Sequence, residues 1–158
     1  MHKFDASRFL DAQEPVYEQV VEELTAGRKR SHWMWFIFPQ LASLGRSSTA
    51  RFYGLESLAH AREYGAHVVL GRRLRECCAL VLSIEERSPT KILGSPDDLK
   101  LCSCMTLFEQ AQPSEKLFGA VLDRLYDGQR DELTRAHLQR EAASNSEASP
   151  EARREPKP

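Results

Sequence analysis

The stretch "SPDDLKLCSCMTLFEQA", residues 95–111, decides the reading of the fold. It begins as helices begin. Ser95 suits an N-cap and Pro96 the first turn, and Asp97 and Asp98 set negative charge at the positive end of a helix dipole. The same grammar recurs along the chain. In "EPVYEQVVEELTAG", residues 14–27, Pro15 suits a first helical position and Gly27 a stop. There Val16, Val20 and Leu24 recur at i, i+4, i+8. "SLAHAREYG", residues 57–65, has Ser57 as cap and Gly65 as stop. "LGRRLRECCALVLSI", residues 70–84, lines Leu70, Leu74, Cys77, Val81 and Ile84 on one stripe. "SEKLFGAVLDRLYDG", residues 114–128, does the same with Leu117, Val121 and Leu125, and "DELTRAHLQRE", residues 131–141, opens on Asp131 as cap. No segment shows sustained period-two alternation with hairpin turns. The expectation is an all-α or mainly α fold: a compact single-domain bundle of about six to eight helices.

One segment resists this grammar. "WMWFIF", residues 33–38, is rich in β-formers but has no obvious partner strand. Periodicity cannot separate a buried strand from a buried helical turn in so short a run. A short buried helical or irregular piece is expected, with Ser31 as its cap and Pro39 as its limit.

At 158 residues the chain has the length of one domain. Its 41% hydrophobic and 28% charged content are those of a globular protein. The last 16 residues, "ASNSEASPEARREPKP", lack Leu, Ile, Val and aromatics and hold three of the eight prolines. Such a segment cannot bury enough surface to offset its ordering entropy. The domain is therefore placed at residues 1–142 and a disordered tail at 143–158. No apolar run reaches the roughly 18 residues of a membrane span. The N-terminus, with early acids and no apolar h-region, does not read as a signal peptide. The four cysteines fall as Cys77–Cys78 and Cys102–Cys104, which are not zinc spacings. Reduced thiols in a cytoplasmic protein are expected, with no metal and no cofactor.

Function is sought in the charge pattern. Between Glu23 and Glu56 no acid occurs, while Arg28, Lys29, Arg30, Arg46 and Arg51 supply a local charge of +5 in a chain of net −1. A second acid-free run, residues 64–75, carries His67, Arg72, Arg73 and Arg75. Guanidinium forks suit bidentate contact with phosphate or carboxylate. Both tryptophans, Trp33 and Trp35, lie beside the first cluster. Indole rings there can stack on a base or another aromatic. These are the parts of a site for a small anionic, nucleotide-like or phosphate-bearing ligand. Arg28, Lys29 and Arg30 would hold the anion, Trp33 or Trp35 would form a wall, and Arg72 or Arg73 would close the far side. If the site also hydrolyses its ligand, His32 and Asp97 are the catalytic candidates for proton transfer. The competing reading is a protein-interaction module whose basic edge docks an acidic protein partner, the tryptophans being plain core. Nucleic acid is disfavoured as a partner by the near-zero net charge. No GxGxxG, GxxxxGK[ST], GxSxG or HExxH pattern occurs.

Three motifs carry a resemblance: "GRKRSHWMWFIFPQL" at 27–41, "HVVLGRRLREC" at 67–77 and "ILGSPDDLKLCSCMTLF" at 92–108. On these the chain resembles the DUF1810 family of bacterial proteins, from about Phe9 to about Leu138. The resemblance implies a compact, mainly α-helical, cytosolic single domain. It implies no established activity and no catalytic residues, so none is carried over. The chain departs from the family's usual pattern with Val68 where a proline is common, Leu93 where a phenylalanine is, and Cys102 and Cys104 where serines are. Members are often labelled calpastatin. Calpastatin-like inhibitors resemble long disordered chains with short inhibitory repeats, and no repeat is present here.

Overall fold

A computed structural model of the protein describes residues 3–148. Among the described residues there are ten α-helices and no β-strand. In order they are α1 (Ser7–Gln13), α2 (Tyr17–Ala26), α3 (Met34–Ile37), a 3-10 turn (Ala42–Leu44), α4 (Ser48–Phe52), α5 (Leu58–Ala66), α6 (Val68–Ser83), α7 (Pro89–Leu93), α8 (Asp97–Ala111), α9 (Leu117–Tyr126) and α10 (Glu132–Ala148). The count exceeds six to eight because α3, α4 and α7 are single turns of four or five residues. The only extended pairing among them is an isolated bridge between Leu41 and Leu55.

The opening stretch forms the centre. Helix α8 buries Leu101, Cys104, Met105, Leu107 and Phe108 and packs against α5, α7, α9 and α10. A helix covered on so many sides must satisfy its polar groups internally. Ser103 Oγ donates to Leu99 O at 3.2 Å and Thr106 Oγ1 to Cys102 O at 2.8 Å. An aromatic file crosses the core, Phe9 edge-on to Tyr64 at 5.1 Å, Tyr64 to Phe108 at 5.5 Å and Phe108 to Phe118 at 5.7 Å.

Helices α2, α6 and α9 follow the expected stripes, and Leu70, Leu74, Cys77, Val81 and Ile84 are all buried. Gly27 ends α2 in the left-handed conformation at φ 82°. Asp131 caps α10, its Oδ2 accepting from Thr134 N at 3.0 Å. "WMWFIF" contains the buried single turn α3.

Four expectations shift. Pro96, not Ser95, stands at the N-cap of α8, and no side chain caps there. Trp33 holds the N-cap of α3, because Ser31 turns its hydroxyl to Glu23 instead. Helix α5 passes Gly65 and ends at Ala66; His67 breaks the chain and caps α6 with its ring, Nδ1 accepting from Val69 N and Leu70 N at 3.2 Å. Helix α10 continues to Ala148, past the boundary set at residue 142. The rest of the expected disordered tail, residues 149–158, lies outside the described residues.

No helix among the described residues is long and apolar enough to cross a membrane. All four cysteines are free, and burial pushes the Cys77 thiol up to about 12, so it stays protonated.

Candidate functional site

The site is built around one acid at the end of α2. Glu23 is 6% exposed and accepts four hydrogen bonds. They come from Arg30 N at 2.6 Å, Ser31 N at 3.0 Å, Ser31 Oγ at 2.6 Å and Trp33 Nε1 at 2.9 Å. Segment 28–33 thus wraps a carboxylate as a strap. Burial alone raises the Glu23 pKa, but these donors outweigh it and bring it down to about 2. Residues alternate along the strap: Lys29, Ser31 and Trp33 point inward, Arg30 and His32 outward.

Lys29 is the inward cation. Its side chain is 7% exposed, and Nζ reaches Asp97 Oδ2 at 2.9 Å and Ser31 O at 2.6 Å. The ammonium also lies 5.1 Å from the Trp33 ring centroid. Asp97, at the start of α8, meets a second ammonium, Lys100 Nζ at 3.8 Å from Oδ1. Lys100 in turn lies 5.2 Å over the ring of Trp35. Strap and helix are therefore joined by a carboxylate between two lysines, each held against an indole.

Between them lies a cleft of about 400 Å³. One wall carries Lys29, Arg30, His32, Met34 and Trp35; the other carries Leu93, Ser95, Pro96, Asp97 and Lys100. The first and third sequence motifs meet here, although Arg30 and Lys100 stand 70 positions apart.

Of the residues picked from sequence, the fold brings Lys29, Arg30, His32, Trp35 and Asp97 together and separates the rest. Trp33 is 1% exposed, buried beneath the strap by its bond to Glu23. Arg28 lies on the strap's other side, in a shallow hollow with Gln19 and Glu22. Arg72 and Arg73 do not close the cleft. They stand on α6, where Arg72 pairs with Glu76 at 3.5 Å. Arg73 pairs with Glu14 at 3.0 Å and lies 4.7 Å over the Tyr17 ring. Helix geometry answers their mutual repulsion, since Glu76 sits one turn beyond Arg72 and just outside the acid-free run.

Sequence reasoning missed Lys100 and Glu23. The signal for Lys100 was present, for Asp97 and Lys100 share a helix face at i, i+3. Glu23 was visible only as the edge of the acid-free run. No group of three or more His, Cys, Asp or Glu placed to hold a metal occurs among the described residues.

The fold and cleft define an all-α domain with a cation-lined cleft between an interhelical strap and the start of its central helix. The chain belongs to the family described as a protein of unknown function, DUF1810, whose model matches residues 3–138. It is similar to the conserved hypothetical protein Rv1873 from Mycobacterium tuberculosis, known from a crystal structure. The TM-score is 0.85 at 54% identity, over 86% of this chain and 97% of that one. No curated protein matches the chain.

Proposed function

We propose that the cleft binds a small anionic ligand, nucleotide-like or otherwise phosphate-bearing. The observation that carries this reading is the convergence of Lys29, Arg30, Lys100 and His32 on one concave space with a single carboxylate among its lining residues. That carboxylate, Asp97, ties the two lysines in place and leaves Arg30 and His32 at the exposed rim. Concave sites with a few convergent polar groups and an apolar wall are how proteins hold small ligands. Here Trp35, Met34 and Leu93 supply that wall. An acidic-partner docking edge would need the same groups on a flat or convex face, which is why the ligand reading is preferred. In a hydrolytic version His32 is the proton-transfer residue. Asp97, with an ammonium on each oxygen, acts by positioning. A reducing, cytoplasmic setting is part of this proposal, and the four free thiols are compatible with it.

The test is thermal unfolding of the full chain against phosphate, pyrophosphate, nucleotides, ADP-ribose, sugar phosphates and dicarboxylates. A ligand at 100 times its dissociation constant adds about 2.7 kcal/mol, a rise of roughly 5–10 °C for a domain of this size. One chemical class is expected to give the rise. Arg30→Ala is expected to remove it, and Arg72→Ala, exposed and outside the cleft, to keep it. No rise with any compound would overturn the proposal.

A further inference from the structure

Away from the cleft, a serine meets two reactive side chains of a helix some ninety residues further along the chain. Ser43 belongs to the 3-10 turn, and its Oγ lies 3.1 Å from Nδ1 of His137 on α10. The other ring nitrogen, Nε2, lies 3.4 Å from Oε2 of Glu141, one helical turn further on. An ionised carboxylate only accepts hydrogen bonds. Glu141 therefore favours the His137 proton on Nε2, which turns the Nδ1 lone pair toward the Ser43 hydroxyl. We propose that Ser43, His137 and Glu141 form a nucleophile, base and orienting acid that hydrolyse small carboxylic esters. The ring nitrogens are used in the order opposite to that of chymotrypsin, where Nε2 faces the serine. The roles need only one nitrogen on the hydroxyl and the other on the carboxylate.

Each member is held by the fold. The serine turn is pinned on both sides, Ala42 N donating to Leu55 O at 2.8 Å and Leu55 N to Gln40 O at 2.9 Å. Gly54 permits this close seat, since a Cβ there would fall 2.3 Å from Ala42 Cα. Glu141 is fixed from its other side by Leu58 N, which donates to Oε1 at 3.0 Å at the start of α5. The imidazole and carboxylate are partly sheltered, at 23% and 19% exposure, while Ser43 faces solvent. A cavity of about 370 Å³ is lined by His137 and Glu141, with Arg140 and Asn145, while Ser43 stands outside its lining on the other side of the imidazole.

The chemistry balances with water alone. Ser43 Oγ bonds to the carbonyl carbon while its proton passes to His137 Nδ1, and the carbonyl π pair moves onto oxygen. On collapse the ester C–O bond breaks, and the leaving alkoxide takes the Nδ1 proton and departs as alcohol. Water then gives a proton to Nδ1 as its oxygen attacks the acyl carbon. Ser43 Oγ leaves and recovers that proton, and the carboxylic acid is released. If the same contacts serve only to pin α10 to the domain, none of this occurs.

The test uses the full chain, a fluorophosphonate probe with peptide mapping, and p-nitrophenyl acetate turnover. The expected result is a single label at Ser43. Both label and turnover should be lost in Ser43→Ala and fall roughly 100-fold or more in His137→Ala. Glu141→Gln, whose amide oxygen can still accept from Leu58 N, should slow turnover without lowering the melting temperature. A natively folded wild-type chain that takes no label at Ser43, or turnover that persists in Ser43→Ala, would overturn the proposal. The outcome is independent of the cleft, whose ligand is read by other measurements.

Discussion

Glu23→Gln is expected to destabilise the domain by about 3 kcal/mol at neutral pH. The size follows from the shift of Glu23 from 4.5 to about 2, at roughly 1.4 kcal/mol per pKa unit. The amide keeps the shape, and its NH₂ can face Ser31 Oγ while its oxygen accepts from Arg30 N, Ser31 N and Trp33 Nε1, but the negative charge that strengthens these four bonds is gone. The direction with pH is fixed by the sign of the shift. The folded state holds this carboxylate below its unfolded pKa, so its contribution is complete above about pH 4.5 and is lost as pH falls toward 2. Melting temperatures taken from pH 7 to pH 2 check this. The variant should melt roughly 10 °C lower at pH 7 and approach the wild type at the acid end. Equal melting at pH 7 would mean that the strap does not depend on Glu23.

Gly71→Ala should cost as much or more. A Cβ at Gly71 would fall 2.1 Å from the carbonyl oxygen of Gly65 and 2.9 Å from its carbon. Both atoms are backbone, so no side chain can swing away and α5 must separate from α6. Alanine brings up to about 1 kcal/mol of helix propensity, too little against an overpacked backbone contact of roughly 3 kcal/mol or more. Gly94→Ala is the contrast. Nothing lies within 4 Å of its added Cβ, but φ +78° with ψ 176° is a conformation used almost only by glycine, so a backbone penalty of roughly 1–3 kcal/mol applies with no steric clash added to it. Circular dichroism melts of the two variants should therefore differ by several degrees, Gly71→Ala being the lower. Equal melts would show that α5 and α6 can part at little cost.

Gly71 also shows where sequence reading stops. "LGR" at 70–72 could be dismissed as a phosphate loop from sequence, but its role as a helix-crossing contact needs Gly65, which the fold supplies. What was legible was local: caps at Ser57 and Asp131, the stop at Gly27, the stripes of α2, α6 and α9. Helix α1 was not legible because its buried positions are Phe9 and Gln13, too little to draw an apolar stripe. Gln13 is buried because its amide donates to Phe36 O at 2.7 Å and to Tyr64 Oη at 3.0 Å, partners that are remote in sequence.

The same limit divides the candidate site. Lys29, Arg30, His32 and Trp35 are neighbours along the chain, so one motif carried them all into the cleft. Trp33 failed as a wall because alternation along the strap turns it inward. Arg72 and Arg73 failed because charge density says nothing of direction; α6 points them at Glu76 and Glu14. Ser43 and His137, 94 positions apart, could not be paired by any spacing rule.

The two indole N–H signals of the chain give the most direct measurement. In a ¹H–¹⁵N spectrum titrated with pyrophosphate and then with ADP, the Trp35 signal should move with saturating dependence on ligand. The buried Trp33 signal, bonded to Glu23, should move less, and Arg30→Ala should abolish the change. If Trp35 stays in place while backbone signals around Arg72 and Arg73 move, the anion binds on α6 and the cleft is not the ligand site. If nothing moves with either compound, the cleft does not recognise phosphate-bearing anions.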